Sequence, residues 1–154
     1  MSDSAPWYDV ISIPALLRHA RNTYGVAMRD ALQEAGYDDI PKNGLYVIGG
    51  LALGAGDAPL SRLIRDLRIS KQSAGQLVDA LVTRGYLKRA EDPLDRRKLM
   101  VALTARGRAA AAAQAAASKR IDALLAEHVG QANVGKLRQV LAALVGIGRH
   151  EETP

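Results

Sequence analysis

The amino-acid sequence predicts a mainly α-helical fold that carries one small β-hairpin. Apolar residues recur at three- to four-residue steps through most of the chain, which is the period of helices that bury one face. Alanine is abundant and phenylalanine is absent, which favours closely packed helices over a sheet core. One polar, turn-forming stretch, 91–98, separates two short β-type segments. With 154 residues, we expect a single folding unit over 1–154.

Composition narrows the class of partner without fixing it. The chain has 21 Lys and Arg against 16 Asp and Glu, a net charge of +5, the sign that suits a polyanionic partner such as nucleic acid. Many basic proteins have no such role, so the positions of the charges must decide. Cysteine is absent, which excludes disulfides, thiolate zinc sites and thiol-based sensing.

Targeting signals are missing from the amino terminus. Residues Met1 to Pro6 lack the basic start and the apolar core of a signal peptide. No apolar run approaches the roughly 18 residues of a membrane helix. We therefore expect a cytoplasmic protein with no membrane partner.

The first helix is predicted from Ser12 or Pro14 to Ala35, and Gly36 is a typical stop. The glycine-rich segment 44–56 that follows is apolar nearly throughout. Each interior glycine costs a helix about 1 kcal/mol relative to alanine, although packing recovers this in a buried helix. Its secondary structure stays open at this point.

Two short helices follow, joined by a three-residue turn. Asp57 is an N-cap candidate for a helix with a proline near its first turn and an apolar face up to Leu67. Ser70 then caps a second amphipathic helix, which ends at Gly85. This is the helix-turn-helix arrangement, in which the second helix can lie in the major groove of DNA.

The remaining elements are a hairpin and two helices. Strands are predicted at Tyr86 to Ala90 and Leu99 to Leu103. Thr104 can cap an alanine-rich helix that runs to about His128. A last helix, roughly 133–147, precedes a polar tail at 150–154.

The second helix of the pair has a polar face opposite its apolar stripe. Glutamine can bond adenine in two places, serine can bond several base edges, and a lysine at the helix start can reach phosphate or guanine. An ordinary solvated helix face is the alternative. The DNA-reading candidates here are Ser70, Lys71, Gln72, Ser73 and Gln76.

The hairpin tip favours DNA binding over that alternative. It carries Arg96, Arg97 and Lys98 beside Asp95, directly after the candidate recognition helix. An arginine from such a wing can enter the narrow minor groove, and Asp95 could hold a neighbouring guanidinium in position. The alternative is a solvated turn with local salt bridges.

Three segments, 81–89, 92–97 and 103–107, together resemble the wing signature of the MarR (multiple antibiotic resistance regulator) family. The resemblance implies a winged helix-turn-helix at about 43–104, flanked by dimerisation helices at about 12–42 and 105–148. It further implies a homodimer that binds a pseudo-palindromic DNA operator and regulates transcription. Repression is the expected role, although an activator could carry the same residues. The family often has larger or basic groups where Gly75 and Gln76 stand, so the operator sequence does not transfer.

Family members often bind small, frequently phenolic or anionic effectors between the dimerisation helices and the winged region. By this resemblance, the candidate pocket residues are Trp7, His19, Tyr24 and Tyr46. An equally good interpretation is that these aromatic groups only cover the apolar surface of a dimer.

Other chemistry has little support in the sequence. The glycine run 49–56 lacks the spacing of a nucleotide-binding loop, and the three histidines stand far apart without neighbouring acids. We therefore expect no catalytic residues, no metal and no cofactor. The rival to a DNA-binding regulator is a winged-helix protein-interaction module whose basic wing contacts an acidic protein.

Overall fold

The structure is a computed structural model that describes residues 5–151, without the side chains of the last two of these. The terminal residues 1–4 and 152–154, which include most of the predicted polar tail, lie outside the described residues. The helices and strands are α1 Ile13–Glu34, α2 Gly44–Leu53, β1 Asp57–Pro59, α3 Leu60–Leu67, α4 Lys71–Thr83, β2 Leu87–Glu91, β3 Leu99–Leu103, α5 Ala105–Val129 and α6 Gln131–Glu151.

The chain divides into two compact units, the first up to Ser118 and the second from Lys119, with the boundary inside α5. The first unit contains α1 to β3 and the first part of α5. The second unit contains the rest of α5 and α6. The division into a winged region and dimerisation regions stays a prediction.

Helix α1 begins where the sequence predicts. Ser12 is its N-cap, and the Ser12 hydroxyl accepts a hydrogen bond from the backbone N–H of Ala15 at 3.4 Å. Proline stands in the first turn, where its missing N–H costs nothing. The helix ends before Gly36, whose φ of +85° is a conformation that glycine adopts without strain.

The glycine-rich segment forms a buried helix, α2, over most of its length. Four large apolar side chains of α2 are buried, and packing outweighs the low helix propensity of glycine. A methyl group on Gly49 would lie 2.5 Å from Nε2 of Gln114 on α5. That amide donates to the backbone carbonyl of Leu45 at 2.8 Å, so the glycine permits a close approach of α2 and α5.

The predicted N-cap at Asp57 is wrong. Residues Asp57–Pro59 form β1, which pairs antiparallel with β3. Because the backbone of Asp57 is committed to this pairing, it cannot begin a helix. Helix α3 instead starts at Leu60, with Pro59 in the N-cap position and no side-chain cap.

The sheet therefore has three strands in the order β1-β3-β2, one more than the predicted hairpin. Leu87 pairs with Leu103 and Glu91 with Leu99 across the β2 and β3 pair. Strand β2 starts one residue later than predicted, because the N–H of Tyr86 donates to the Leu81 carbonyl in the turn that ends α4. The core of the first unit lies between this sheet and the helices α2 to α5; its largest fully buried side chains are Tyr86, Leu45, Ile48, Leu81, Leu87, Leu103, Val47, Val78 and Val101.

The second unit is a helical hairpin. Gly130, at φ +83°, separates α5 from α6. An ion pair between Asp122 on α5 and Arg138 on α6 spans 3.6 Å. Several apolar side chains of α6 are exposed in the single chain, namely Leu137, Val140, Leu144, Val145 and Ile147.

None of the described helices combines the length and the apolar composition that a membrane crossing requires.

Candidate nucleic-acid interface

Helix α4 presents the predicted polar face to solvent. The Ser70 hydroxyl accepts a hydrogen bond from the backbone N–H of Ser73 at 3.1 Å, which confirms Ser70 as the N-cap. Ala74, Val78 and Leu81 are buried on the inner side of the helix. The DNA-reading candidates Ser70, Lys71, Gln72, Ser73 and Gln76 are all exposed.

The turn between α3 and α4 depends on one unusual backbone conformation. Arg68 ends α3 at φ 51° and ψ 36°, and it is the only non-glycine residue with a positive φ in the described part of the chain. This left-handed residue lets the chain reverse within three residues, so that Ser70 becomes the N-cap of α4. Leu63 of α3 is buried in the core, which anchors α3 as the helix that supports the recognition helix α4.

The wing tip is built from two consecutive turns. In the first, the N–H of Asp95 donates to the carbonyl of Asp92 at 3.2 Å; in the second, the N–H of Lys98 donates to the carbonyl of Asp95 at 3.0 Å. The carboxylate that opens each turn also accepts a backbone N–H: Asp92 from Leu94 at 2.9 Å and Asp95 from Arg97 at 3.0 Å. These bonds give the tip a defined shape.

The expected role of Asp95 is thereby corrected. Its carboxylate accepts the backbone N–H of Arg97 rather than a guanidinium, because the turn places that N–H closer than either arginine side chain. Arg96, Arg97 and Lys98 are exposed, and within residues 5–151 none of them has a carboxylate within ion-pair distance. The three positive charges of the tip are thus outside ion pairs in this part of the chain and exposed to a partner.

An ion pair that the sequence analysis missed joins the wing to the recognition helix. Arg89 on β2 donates to the carboxylate of Asp79 on the exposed side of α4. The two residues belong to different elements, and no local periodicity connects them. The pair connects β2 to α4 at the surface, on the side of α4 that also bears the polar face.

A second missed cluster ties the winged region to the loop after α1. The Tyr86 hydroxyl donates to Asp39 Oδ1 at 2.5 Å and accepts from Arg106 Nη2 at 3.0 Å. The Arg106 guanidinium stacks 4.6 Å from the Tyr86 ring centroid and 5.4 Å from that of Tyr37. Arg84, just after α4, donates to the Asp39 carbonyl at 2.5 Å.

Titration properties of this cluster follow from its contacts. The hydrogen bond from Tyr86 lowers the pKa of Asp39 below its ordinary value, and the positive charge of Arg106 acts in the same direction. Burial of the ring, together with the neighbouring Asp39, raises the pKa of Tyr86 to about 12. Asp39 is therefore ionised and Tyr86 protonated at neutral pH.

The four effector candidates lie in different surroundings. Trp7 and His19 are exposed, whereas Tyr24 and Tyr46 are half-buried. A cavity of about 260 Å³ between α2 and α3 is lined by Tyr46, but not by the other three. Their assignment to one pocket stays a prediction.

Tyr46 is flanked by two cations from α1. The Arg21 guanidinium lies 4.2 Å from the Tyr46 ring centroid. A methyl group on the buried Gly25 would lie 3.4 Å from Arg29 Nη2 and 3.5 Å from the Tyr46 hydroxyl oxygen, so both groups border the space that this glycine leaves. Neither arginine has a carboxylate within ion-pair distance in the described structure.

Comparison with known proteins agrees with this architecture. Residues 44–98 match the model of the MarR family. No curated protein sequence matches the chain.

Three solved structures illustrate the likeness in fold. FabT of Streptococcus pneumoniae, in complex with DNA, matches 91% of this chain and 97% of its own at 18% identity, with a TM-score of 0.75. NadR in complex with 4-hydroxyphenylacetate matches 94% of this chain and 96% of its own at 22% identity, with a TM-score of 0.70. A mutant MarR of E. coli complexed with operator DNA matches 92% of this chain and 99% of its own at 19% identity, with a TM-score of 0.69.

The match lies on α2 to the wing tip, which are the elements that position the polar face and the cations. MarR-family proteins are transcription regulators and not enzymes. Within residues 5–151, no three acidic or histidine side chains stand close enough to hold a metal ion. The matched winged region is therefore similar to the MarR family, and the chain has the winged helix-turn-helix fold of the solved structures described above.

Proposed function

We propose that this protein is a sequence-specific DNA-binding transcription regulator that represses by occupying a promoter in the cytoplasm. The observation that carries the proposal is the pairing of two surfaces on one rigid block. One is the exposed polar face of α4, and the other is the wing tip with three exposed cations that form no ion pair among the described residues. The ion pair between Arg89 and Asp79 joins the two.

The two surfaces suit the two grooves of double-stranded DNA. Gln72 and Gln76 can read base edges from α4 in the major groove, while Lys71 and the amides at the helix start take a phosphate. Arg96 or Arg97 then enters the adjacent minor groove, where the electrostatic potential is most negative. The FabT and MarR structures, which are complexes with DNA and with operator DNA, support this arrangement by analogy of fold.

We infer that the active form is a homodimer. The exposed apolar side chains of α6 recur on one helical face, and Val140 keeps 65% of its surface in the single chain. An apolar stripe of this kind marks a protein interface, and a second copy of the chain supplies the same stripe. Two winged regions related by a two-fold axis would read a pseudo-palindromic operator whose half-sites lie about one helical turn apart.

We also propose that a small aromatic or anionic effector releases the DNA. Support comes from the groups around Tyr46, where Arg29 and the Tyr46 hydroxyl, both beside Gly25, offer donors and Arg21 stacks on the Tyr46 ring. The fold relative NadR is in complex with 4-hydroxyphenylacetate, an aromatic carboxylate of that character. Binding that favours one spacing of the two recognition helices would change the affinity for DNA.

The test is selection of bound duplexes from a random-sequence pool at near-physiological salt, which suppresses nonspecific phosphate contacts. We expect enrichment of a pseudo-palindrome. On that duplex, Arg97→Ala should weaken binding at least tenfold and lower the salt dependence, whereas Gln76→Ala should mainly relax sequence preference. Arg120→Ala, at an exposed arginine of the second unit that forms no ion pair among the described residues, is the charge-matched control.

Two results would contradict the proposal. A pool with no enriched sequence, and only weak salt-sensitive binding, would favour the protein-interaction module instead. Wild-type affinity in both Arg96→Ala and Arg97→Ala would show that the wing does not contact DNA. Sedimentation of the wild-type protein and of Val140→Asp, which places a charge on the apolar stripe, tests the dimer separately.

A further inference from the structure

The wing tip has an apolar corner beside its basic corner. In the first turn, between Asp92 and Asp95, the outer positions are Pro93 and Leu94; in the second, they are the two arginines. The side chain of Leu94 is 96% exposed, more than that of any other large apolar residue that the structure describes. One corner thus offers charge, and the other offers an unpartnered leucine side chain.

The position of Leu94 is set by the backbone around it. Its N–H is held by the Asp92 carboxylate at 2.9 Å, and the next N–H, that of Asp95, is held by the Asp92 carbonyl at 3.2 Å. Pro93 fixes the preceding backbone torsion. The turn from Asp92 to Asp95 lies between Leu94 and the sheet, so the leucine side chain points away from the sheet into solvent.

We propose that Leu94 is an apolar contact that enters the minor groove of the operator together with the wing arginine. This inference rests on the proposed function and adds a residue to it. The minor groove is about 6 Å wide, with walls formed by deoxyribose edges between two rows of phosphates. Leu94 stands between the two turn-forming carboxylates, which are bonded to backbone N–H groups, and the exposed cations follow it at 96–98. The leucine can therefore reach the narrow apolar slot while the cations meet the phosphates beside it, and apolar side chains are used in this way by other minor-groove binders.

The charge pattern selects DNA over an apolar protein surface as the occupant. Arg96, Arg97 and Lys98 follow Leu94 closely in sequence, and none has an ion-pair partner among the described residues. An apolar protein partner would have to bury those charges without compensation. The phosphates of DNA neutralise these charges, and contact with the deoxyribose edges removes the leucine side chain from water.

The first experiment compares Leu94→Asn with wild type on the selected duplex, measuring Kd at several salt concentrations. We expect Kd to rise about five- to tenfold, as loss of a partly buried leucine contact predicts. The slope of log Kd against log salt should not change, because no phosphate contact is lost. Leu53→Asn, at an equally exposed leucine (93%) at the end of α2, is the matched control and should bind as wild type.

The second experiment locates the contact in the minor groove. Base pairs under the wing are replaced by G·C or by inosine·C, which differ only in the guanine amino group on the minor-groove side. Wild type should prefer the inosine duplex, because that amino group obstructs the leucine. Leu94→Asn should lose at least half of this preference in free energy, whereas Leu53→Asn should keep it.

The outcomes separate the inference from the function on which it rests. An unchanged Kd for Leu94→Asn, or a slope that falls as in Arg97→Ala, would overturn the leucine contact while leaving DNA binding established. Equal preference for the inosine duplex in wild type and Leu94→Asn would overturn its location. If wild type enriches no duplex at all, the proposed function itself fails, and the leucine contact fails with it.

Discussion

Replacing Tyr86 by phenylalanine should destabilise the winged region while leaving its packing intact. The substitution keeps the buried ring but removes the hydroxyl that donates to Asp39 and accepts from Arg106. Each hydrogen bond to a charged group contributes about 1.5–3 kcal/mol when buried. Since the Asp39 and Arg106 side chains are both 43% exposed, water replaces part of what is lost. We therefore expect a loss of about 1–2 kcal/mol in the free energy of unfolding.

The assay is urea and thermal unfolding at a fixed protein concentration, because association shifts apparent stability. For a chain of this length, that loss lowers the Tm by about 3–6 °C. Tyr37→Phe is the control: its ring stands 6.1 Å from that of Tyr86, and its hydroxyl makes no hydrogen bond among the described residues. Equal stability of the two variants would refute the argument.

The pH dependence gives an independent check on the same cluster. Asp39 has a lowered pKa in the folded state, so its contribution is present above the unfolded value of 3.8 and is lost as the pH falls through the folded pKa. Tyr86 has a raised pKa, so its contribution is complete below pH 10 and is lost as the pH rises towards 12. The stability difference between wild type and Tyr86→Phe should therefore be level from pH 5 to pH 9 and shrink outside that window. A difference that grows, instead of shrinking, as the pH falls below 3.8 would contradict this assignment.

Three further substitutions test local packing and capping. Gly107→Ala should destabilise the fold by about 3 kcal/mol, since the added methyl overlaps the carbonyl oxygen of Tyr86; wild-type stability in urea would contradict this. Ser70→Ala should cost about 1 kcal/mol and increase amide exchange at the start of α4, whereas Ser70→Asp should not. Gly49→Ala should destabilise by about 2 kcal/mol, and adding Gln114→Ala should recover part of that loss; purely additive effects would show that the two do not clash.

Sequence reasoning predicted the elements whose signals are local. Helix α4 was predicted because Ser70 caps an apolar stripe with helical spacing, and the structure confirms both features. Strand β3 was predicted with its observed bounds, since it follows the turn-forming stretch of the wing. Thr104 was likewise expected to cap α5, and its hydroxyl accepts the N–H of Gly107 at 3.0 Å.

Elements that depend on distant partners were missed or left open. Helix α2 is apolar on all sides and rich in glycine, so periodicity could not distinguish it from a strand. Strand β1 has three residues and exists only through its pairing with β3. The candidate site also contains features of both kinds. The cations of the wing could be predicted from the sequence, because they are adjacent in it. The ion pair between Asp79 and Arg89 could not, because it joins two elements that no short-range rule connects.

The close approach of Gly107 to the Tyr86 carbonyl has a mechanical consequence. The first turn of α5 lies against the chain entering β2, and Thr104 donates from its hydroxyl to the carbonyls of Gly85 and Tyr86. Neither segment can slide past the other without breaking these contacts. We therefore expect the base of the wing and the first turn of α5 to move together, so that a displacement of that turn carries β2 with it instead of being absorbed at the junction.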